Sequence, residues 1–233
     1  MVKRMKSIKN KLMLIASLSA VLAAIVVIRA LSRAVTVMGS VNFNGMTIVV
    51  DAGHGGKDPG ARSAAIDEDE INLKTAQKLK VLLEGAGAEV IMIRESDVDL
   101  APEGASHVKR EDLKKRVEIM NQPQVTLFIS IHCNISLDSR VQGSDVYYQK
   151  DNPASYQLAQ AIQGRLKAVT HSRLKPKTGD IYILKQTQTL GILAEIGFLS
   201  NQEDLARLQK EEYLEEIAYA LFQGIDDFMK ILQ

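Results

Sequence analysis

Residues 1–50 contain no acidic side chain, and the whole 233-residue chain has no tryptophan and a single cysteine, Cys133. One cysteine forms no intramolecular disulfide, and a domain of this size buries a core without one. With no cysteine near the N-terminus, a lipid-anchored lipoprotein is excluded. No G-x-G-x-x-G occurs, and no helix pattern opens directly after the glycines of "DAGHGGKDPGA", which disfavours a dinucleotide or phosphate cradle. There is no G-x-S-x-G nucleophile elbow either. Cys133 directly follows His132, and strand neighbours face opposite ways, which argues against a Cys–His nucleophile pair. No internal repeat, low-complexity tract or composition break divides the chain after residue 50.

What the N-terminus does have is seven basic residues within 1–50, so residues 51–233 carry a net −6 although the chain totals +1. An acidic domain is a poor nucleic-acid binder, because counterion release needs clustered Lys and Arg. Leu12 to Ile28 are 17 consecutive uncharged residues preceded by five basic ones. As a helix the run would reach roughly 26 Å, near the lower limit for crossing a bilayer. The expectation is a cytoplasmic basic stub with a membrane anchor or signal peptide at 1–33, a linker at 34–45 and an exported domain at 46–233. That domain then lies on the outer face of the cytoplasmic membrane.

From Met46 onward, apolar runs of strand length alternate with amphipathic helical patterns. This predicts a single α/β domain with a mostly parallel central sheet flanked by helices. Strands are expected at 46–50, 88–94, 126–132, 143–150, 179–187 and 190–198. Helices are expected at 70–87, 110–122, 154–170, 201–208 and 211–232.

His54 and His132 fall just past the C-terminal ends of two predicted parallel strands, the edge where open α/β sheets build sites. Both can converge on one metal, whereas His107 and His171 sit in polar surroundings and read as solvated. A catalytic zinc needs three protein ligands, and two His plus one Glu is a common set. Asp67, Glu68, Asp69 and Glu70 all lie at the start of the first helix. Any of them could be the third ligand or simply an acid favoured by the helix dipole, and spacing does not choose. Glu195, inside "LGILAEIGFLSN", is an acid in an apolar strand, costly unless paired or useful. It suits a general base with a raised pKa, or alternatively a structural partner of Arg94 or Arg116.

The stretches "VVDAGHGGKDPGA", "EDEINL", "FISIHCN" and "LAEIGFLSN" occur in this order. Together they resemble the zinc-dependent N-acetylmuramoyl-L-alanine amidases of bacteria, whose usual forms are D-P-G-H-G-G, E-K-x-x-x-L, S-I-H-x-N and E-x-G-F-L-S-N. The likeness runs from about Thr47 to Met229. It implies one zinc ion held by His54, Glu68 and His132, with Glu68 placed by counting back from Leu73, and Glu195 as the catalytic glutamate. Ala52, Asp69 and Cys133 depart from the usual Pro, Lys and Ala without removing a ligand. The substrate implied is peptidoglycan, cut between the lactyl group of N-acetylmuramic acid and L-alanine. The segment 92–104 with the short N-terminal anchor is most similar to the germination-specific spore-cortex subgroup, which implies a part in muramic-δ-lactam formation in an endospore-former. No wall-binding repeats accompany the domain, so an accessory partner is left open, as are the substrate-binding residues. The competing expectations are a zinc peptidase cutting within the stem peptide and a non-catalytic cell-wall-binding protein.

Overall fold

The computed structural model describes residues 42–63 and 66–232. The expected anchor or signal helix and the linker up to residue 41 lie outside the described residues. Among the described residues, no helix is long and apolar enough to cross a membrane.

Five strands form one sheet: β1 (Thr47–Ala52), β2 (Glu89–Met92), β3 (Val125–Asn134), β4 (Asp145–Tyr148) and β5 (Gly191–Phe198), in the spatial order β2-β1-β3-β5-β4. The β1–β2, β1–β3 and β3–β5 pairs are parallel, and β4 runs antiparallel on β5 at the edge. The sheet is therefore mixed, with a mostly parallel centre. β1 is buried along its whole length, as its unbroken apolar run requires when helices cover both faces.

The helices are α1 (Glu68–Gly85), α2 (Val108–Met120), α3 (Pro153–Thr170), α4 (Tyr182–Gln186), α5 (Gln202–Leu208) and α6 (Glu211–Ile231). α6 packs against both α1 and α3 on one side of the sheet. Its stripe includes Ile217, Leu221, Ile225 and Phe228, recurring at helical spacing. α2 and α4 cover the opposite side, where Met120, Ile183 and Leu184 pack with Val49, Phe128 and Leu193. Strand side chains alternate between faces. Asp51, Ser130, His132 and Glu195 therefore share the α2/α4 side with Val49, Phe128 and Leu193.

Two expectations need correction. Residues 179–187 form no strand of the sheet but a loop and the five-residue helix α4. Ile183 and Leu184 are consecutive and both buried, which a strand lying on one face cannot achieve, and Lys185 N–H and Thr187 N–H close helical turns onto the carbonyls of Ile181 and Ile183. The first helix begins at Glu68 rather than residue 70. Its opening acids, Glu68, Asp69 and Glu70, suit the positive end of the helix dipole.

Candidate functional site

The chain leaves β1 for β2 on one side and leaves β3 for β4 and β5 on the other, so the strand order reverses between β1 and β3. A crevice opens beyond the carboxyl ends of strands at such a point. His54 lies two residues past β1, and His132 lies inside β3 near its end rather than beyond it.

The loop after β1 is built around His54, which adopts a left-handed backbone with φ of 62°. Gly55 and Asp58 exchange backbone hydrogen bonds, and the Asp58 carboxylate meets His54 Nδ1 at 3.0 Å. That leaves His54 Nε2 facing Glu68 Oε1 at 3.2 Å, while His132 Nδ1 lies 3.0 Å from the same oxygen. The two rings stand edge to face with centroids 4.9 Å apart. One ligand atom from each of His54, Glu68 and His132 lies within 4.8 Å of the others. Two glycines make this approach possible: a Cβ on Gly53 would overlap the His132 ring, and one on Gly60 would collide with Glu68 Oε2.

Starting α1 at residue 68 puts Glu68, and not its neighbours, over the crevice. Asp67 reaches Arg62 at 3.3 Å and Glu70 reaches Lys74 at 2.8 Å. Asp69 is buried beside Asp97, and burial followed by the Asp97 charge pushes its carboxyl up. Glu68 Oε1 also accepts from Cys133 N–H at 3.0 Å and the Asn72 amide at 3.3 Å, and Oε2 accepts from Ala61 N–H at 2.8 Å. Burial would push the Glu68 carboxyl up, but the hydrogen bonds and charges of His132 and His54 outweigh it and hold the group far below the carboxylate range. Burial would pull His54 down, yet Glu68 and then Asp58 raise it. Two imidazoles and one ionised carboxylate, with a second carboxylate orienting one ring, match the donor chemistry of a catalytic zinc centre. The residues present fit the metal.

Beneath the loop lie two buried arginines. Arg116 donates to Asp51 Oδ1 at 2.5 Å, Asp112 Oδ2 at 2.7 Å and the carbonyls of Ala52 and His54 at 2.9 and 2.7 Å. Arg94 donates to the carbonyls of Ala52, Gly53 and Asp69 at 2.9, 3.0 and 2.7 Å. Ser130 Oγ completes the Asp51 carboxylate at 2.6 Å. Neither arginine pairs with Glu195, so the expected structural alternative for that residue is overturned: both hold the His54 loop instead. This clamp was not anticipated from the sequence, because its acceptors are mostly backbone carbonyls, which every residue carries.

Glu195 sits on β5 directly beside His132 on β3, with Asp145 of β4 on its other side. Its Oε2 is buried without a hydrogen-bond partner, and so is Asp145 Oδ1. Burial first, then the charges of Glu68 and Asp145, push the Glu195 carboxyl up to about 8. Cys133 is buried and its thiol is pushed well above its ordinary range, first by burial and then by nearby carboxylates. Its side chain belongs to the opposite face of the sheet from His132, in keeping with an unreactive role. His107 and His171 cap the N-terminus of α2 and the C-terminus of α3, exposed and apart from the cluster.

A family model described as N-acetylmuramoyl-L-alanine amidase matches residues 48–227. The chain is 35% identical over 191 residues to the germination-specific N-acetylmuramoyl-L-alanine amidase of Bacillus subtilis, covering 80% of this chain and 81% of that one. It is similar to the solved CwlD amidase of Clostridioides difficile in complex with the GerS lipoprotein, with a TM-score of 0.77 and 37% identity over 80% of this chain and 99% of that one. The catalytic domain of CwlV, an N-acetylmuramoyl-L-alanine amidase from Bacillus (Paenibacillus) polymyxa, is similar at a TM-score of 0.69 and 29% identity, covering 80% and 99%. The family match begins inside the first strand and ends inside the last helix, taking in the crevice and every residue gathered there; this chain belongs to the N-acetylmuramoyl-L-alanine amidase family.

Proposed function

We propose that the protein is a zinc-dependent enzyme that hydrolyses the amide between the lactyl group of N-acetylmuramic acid and L-alanine in peptidoglycan. The observation that carries this reading is the convergence of His54, Glu68 and His132 on one point, with the unpartnered Glu195 carboxyl on the adjoining strand.

His54, Glu68 and His132 would hold the ion, which when bound supplies positive charge that polarises the lactyl carbonyl and acidifies water. Asp58 fixes the His54 ring so that Nε2 faces inward. Glu195 Oε2, with no competing donor, takes a proton from the attacking water and delivers it to the alanine nitrogen as the C–N bond breaks. The products are the free lactyl carboxylate and a stem peptide with an L-alanine amino terminus. In the metal-free protein, burial and then the charges of Glu68 and Asp145 push this carboxyl up to about 8, which moves its proton affinity out of the ordinary carboxylate range and toward that of a general acid–base group.

In this reading residues 1–33 are a basic stub with an anchor or export signal, 34–45 a linker and 46–233 the catalytic domain, working on the outer face of the cytoplasmic membrane. Similarity to a germination-specific amidase supports a task in the spore cortex, where removal of the peptide precedes muramic-δ-lactam formation. The solved complex of a similar amidase with a lipoprotein supports an accessory partner. The test is mass spectrometry of muropeptides after digestion by the purified protein, with chelator and after zinc return. Intact stem peptides beginning at L-alanine, lost with chelator and restored by zinc, are expected. Cuts within the stem would show a peptidase, and absence of turnover in zinc-loaded protein would show a non-catalytic binder.

A further inference from the structure

A crevice lined by His54 and His132, and by neither Glu68 nor Glu195, shares Lys109, Leu113 and Tyr182 with an open cavity of about 480 Å³ lined also by His107, Val108 and Arg110. The shared residues make the two spaces one continuous groove. Asp58 joins them chemically as well: its carboxylate meets His54 Nδ1 at 3.0 Å and Lys109 Nζ at 3.1 Å.

The larger cavity of this groove is lined by Lys109, Arg110 and His107 and by no carboxylate, in a domain that is acidic overall. The carboxylates of the smaller part, Asp51, Asp58 and Asp112, already have partners in Arg116, His54 and Lys109. Lys114 takes Glu111 at 2.7 Å and Lys109 takes Asp58, leaving Arg110 without an ion-pair partner among the described residues. Lys109 and Arg110 also stand in the first turn of α2, where the helix dipole disfavours positive charge, so helix stability does not account for them. Tyr182 at the start of α4 and Leu113 add an apolar wall.

On the amidase reading, the substrate carries its charge on one side of the scissile bond only. N-acetylated sugars are neutral and the lactyl carboxyl is consumed in the amide, whereas the stem peptide bears free carboxylates. We propose that the groove formed by His107, Lys109, Arg110 and Tyr182 is the subsite for the acidic stem peptide, so that the peptide leaves the metal centre over the α2/α4 face and the glycan lies on the other side. Arg110 is the specificity-determining residue, its guanidinium offering a fork of donors that matches a carboxylate. This rests on the amidase reading.

The test uses the full chain loaded with zinc and two muropeptides, one with free stem carboxylates and one with those groups converted to carboxamides. On the carboxylate substrate KM should rise about threefold in Arg110→Gln and about tenfold in Arg110→Glu, with kcat little moved. On the carboxamide substrate the same variants should differ from the parent by less than about twofold. An equal KM rise on both substrates, or none on the carboxylate one, overturns the subsite while leaving the amidase reading standing. If the parent releases no L-alanine amino terminus from either substrate, the amidase reading fails and the subsite fails with it. Arg110 is exposed and its removal relieves an unfavourable dipole contact, so loss of fold does not confuse the result.

Discussion

The loop that carries His54 and the strand that carries Glu195 lie on either side of β3 and are treated in opposite ways. The loop's own carbonyls and acids are held: Arg94 and Arg116 take the carbonyls of residues 52–54, Ser130 and Arg116 take Asp51, and Asp58 takes His54 Nδ1. On β5 Glu195 Oε2, and beside it on β4 Asp145 Oδ1, are buried with nothing to bond. A saturated group is fixed in place, which suits a metal ligand. An unsatisfied buried carboxyl is costly by about 1–3 kcal/mol or more, and it stays ready for a proton. The pairing of a rigid clamp with one unsatisfied acid is the logic of the site.

The comparison can be broken most severely on the clamp. Arg116→Ala leaves Asp51 and Asp112 buried without their cation and frees two loop carbonyls, so stability should fall by about 3–5 kcal/mol. Urea unfolding of the variant against the parent measures this, and a loss below about 1 kcal/mol would mean the clamp is dispensable.

On the strand the next effect is a pH dependence. Glu195 is raised from 4.5 to about 8, so in metal-free protein the unfolded chain gives up this proton while the folded one keeps it. Its contribution therefore favours folding below pH 4.5 and erodes as pH rises from there to about 8, by a few kcal/mol at most. Glu195→Gln removes that slope. Paired unfolding curves of apo parent and variant from pH 5 to 8 should show the variant gaining relative stability with pH, and parallel curves would contradict the raised carboxyl.

A smaller effect sharpens the loop's side of the comparison. Asp58→Asn weakens the group that orients His54, and zinc affinity measured by chelator competition should drop about 10- to 100-fold. Smallest is Cys133→Ala, which removes a buried sulfur from the face opposite His132 while keeping the backbone N–H that binds Glu68. It should cost about 1 kcal/mol in stability and leave zinc affinity unchanged, checked by the same two assays.

His54 and His132 were legible because strand-end histidines announce themselves in an α/β pattern, and Glu195 because an acid in an apolar strand needs a reason. Composition alone did not separate Glu68 from three neighbouring acids: the choice depends on the turn at which α1 begins, and motif order supplied it. The stretch 179–187 read as a strand because its apolar residues are dense, although the structure winds it into α4 across the sheet. The antiparallel direction of β4, and with it Asp145 beside Glu195, has no signature in four residues. The arginine clamp was invisible because most of its acceptors are main-chain oxygens, and its two carboxylates, Asp51 and Asp112, carry no spacing that marks them.

The most direct test of the central claim is to purify Glu195→Gln, measure its zinc content and assay it on intact muropeptides. The account predicts zinc retained near one per chain and release of L-alanine amino termini slowed about 10²- to 10⁴-fold. Turnover at the parental rate by the zinc-loaded variant would contradict it.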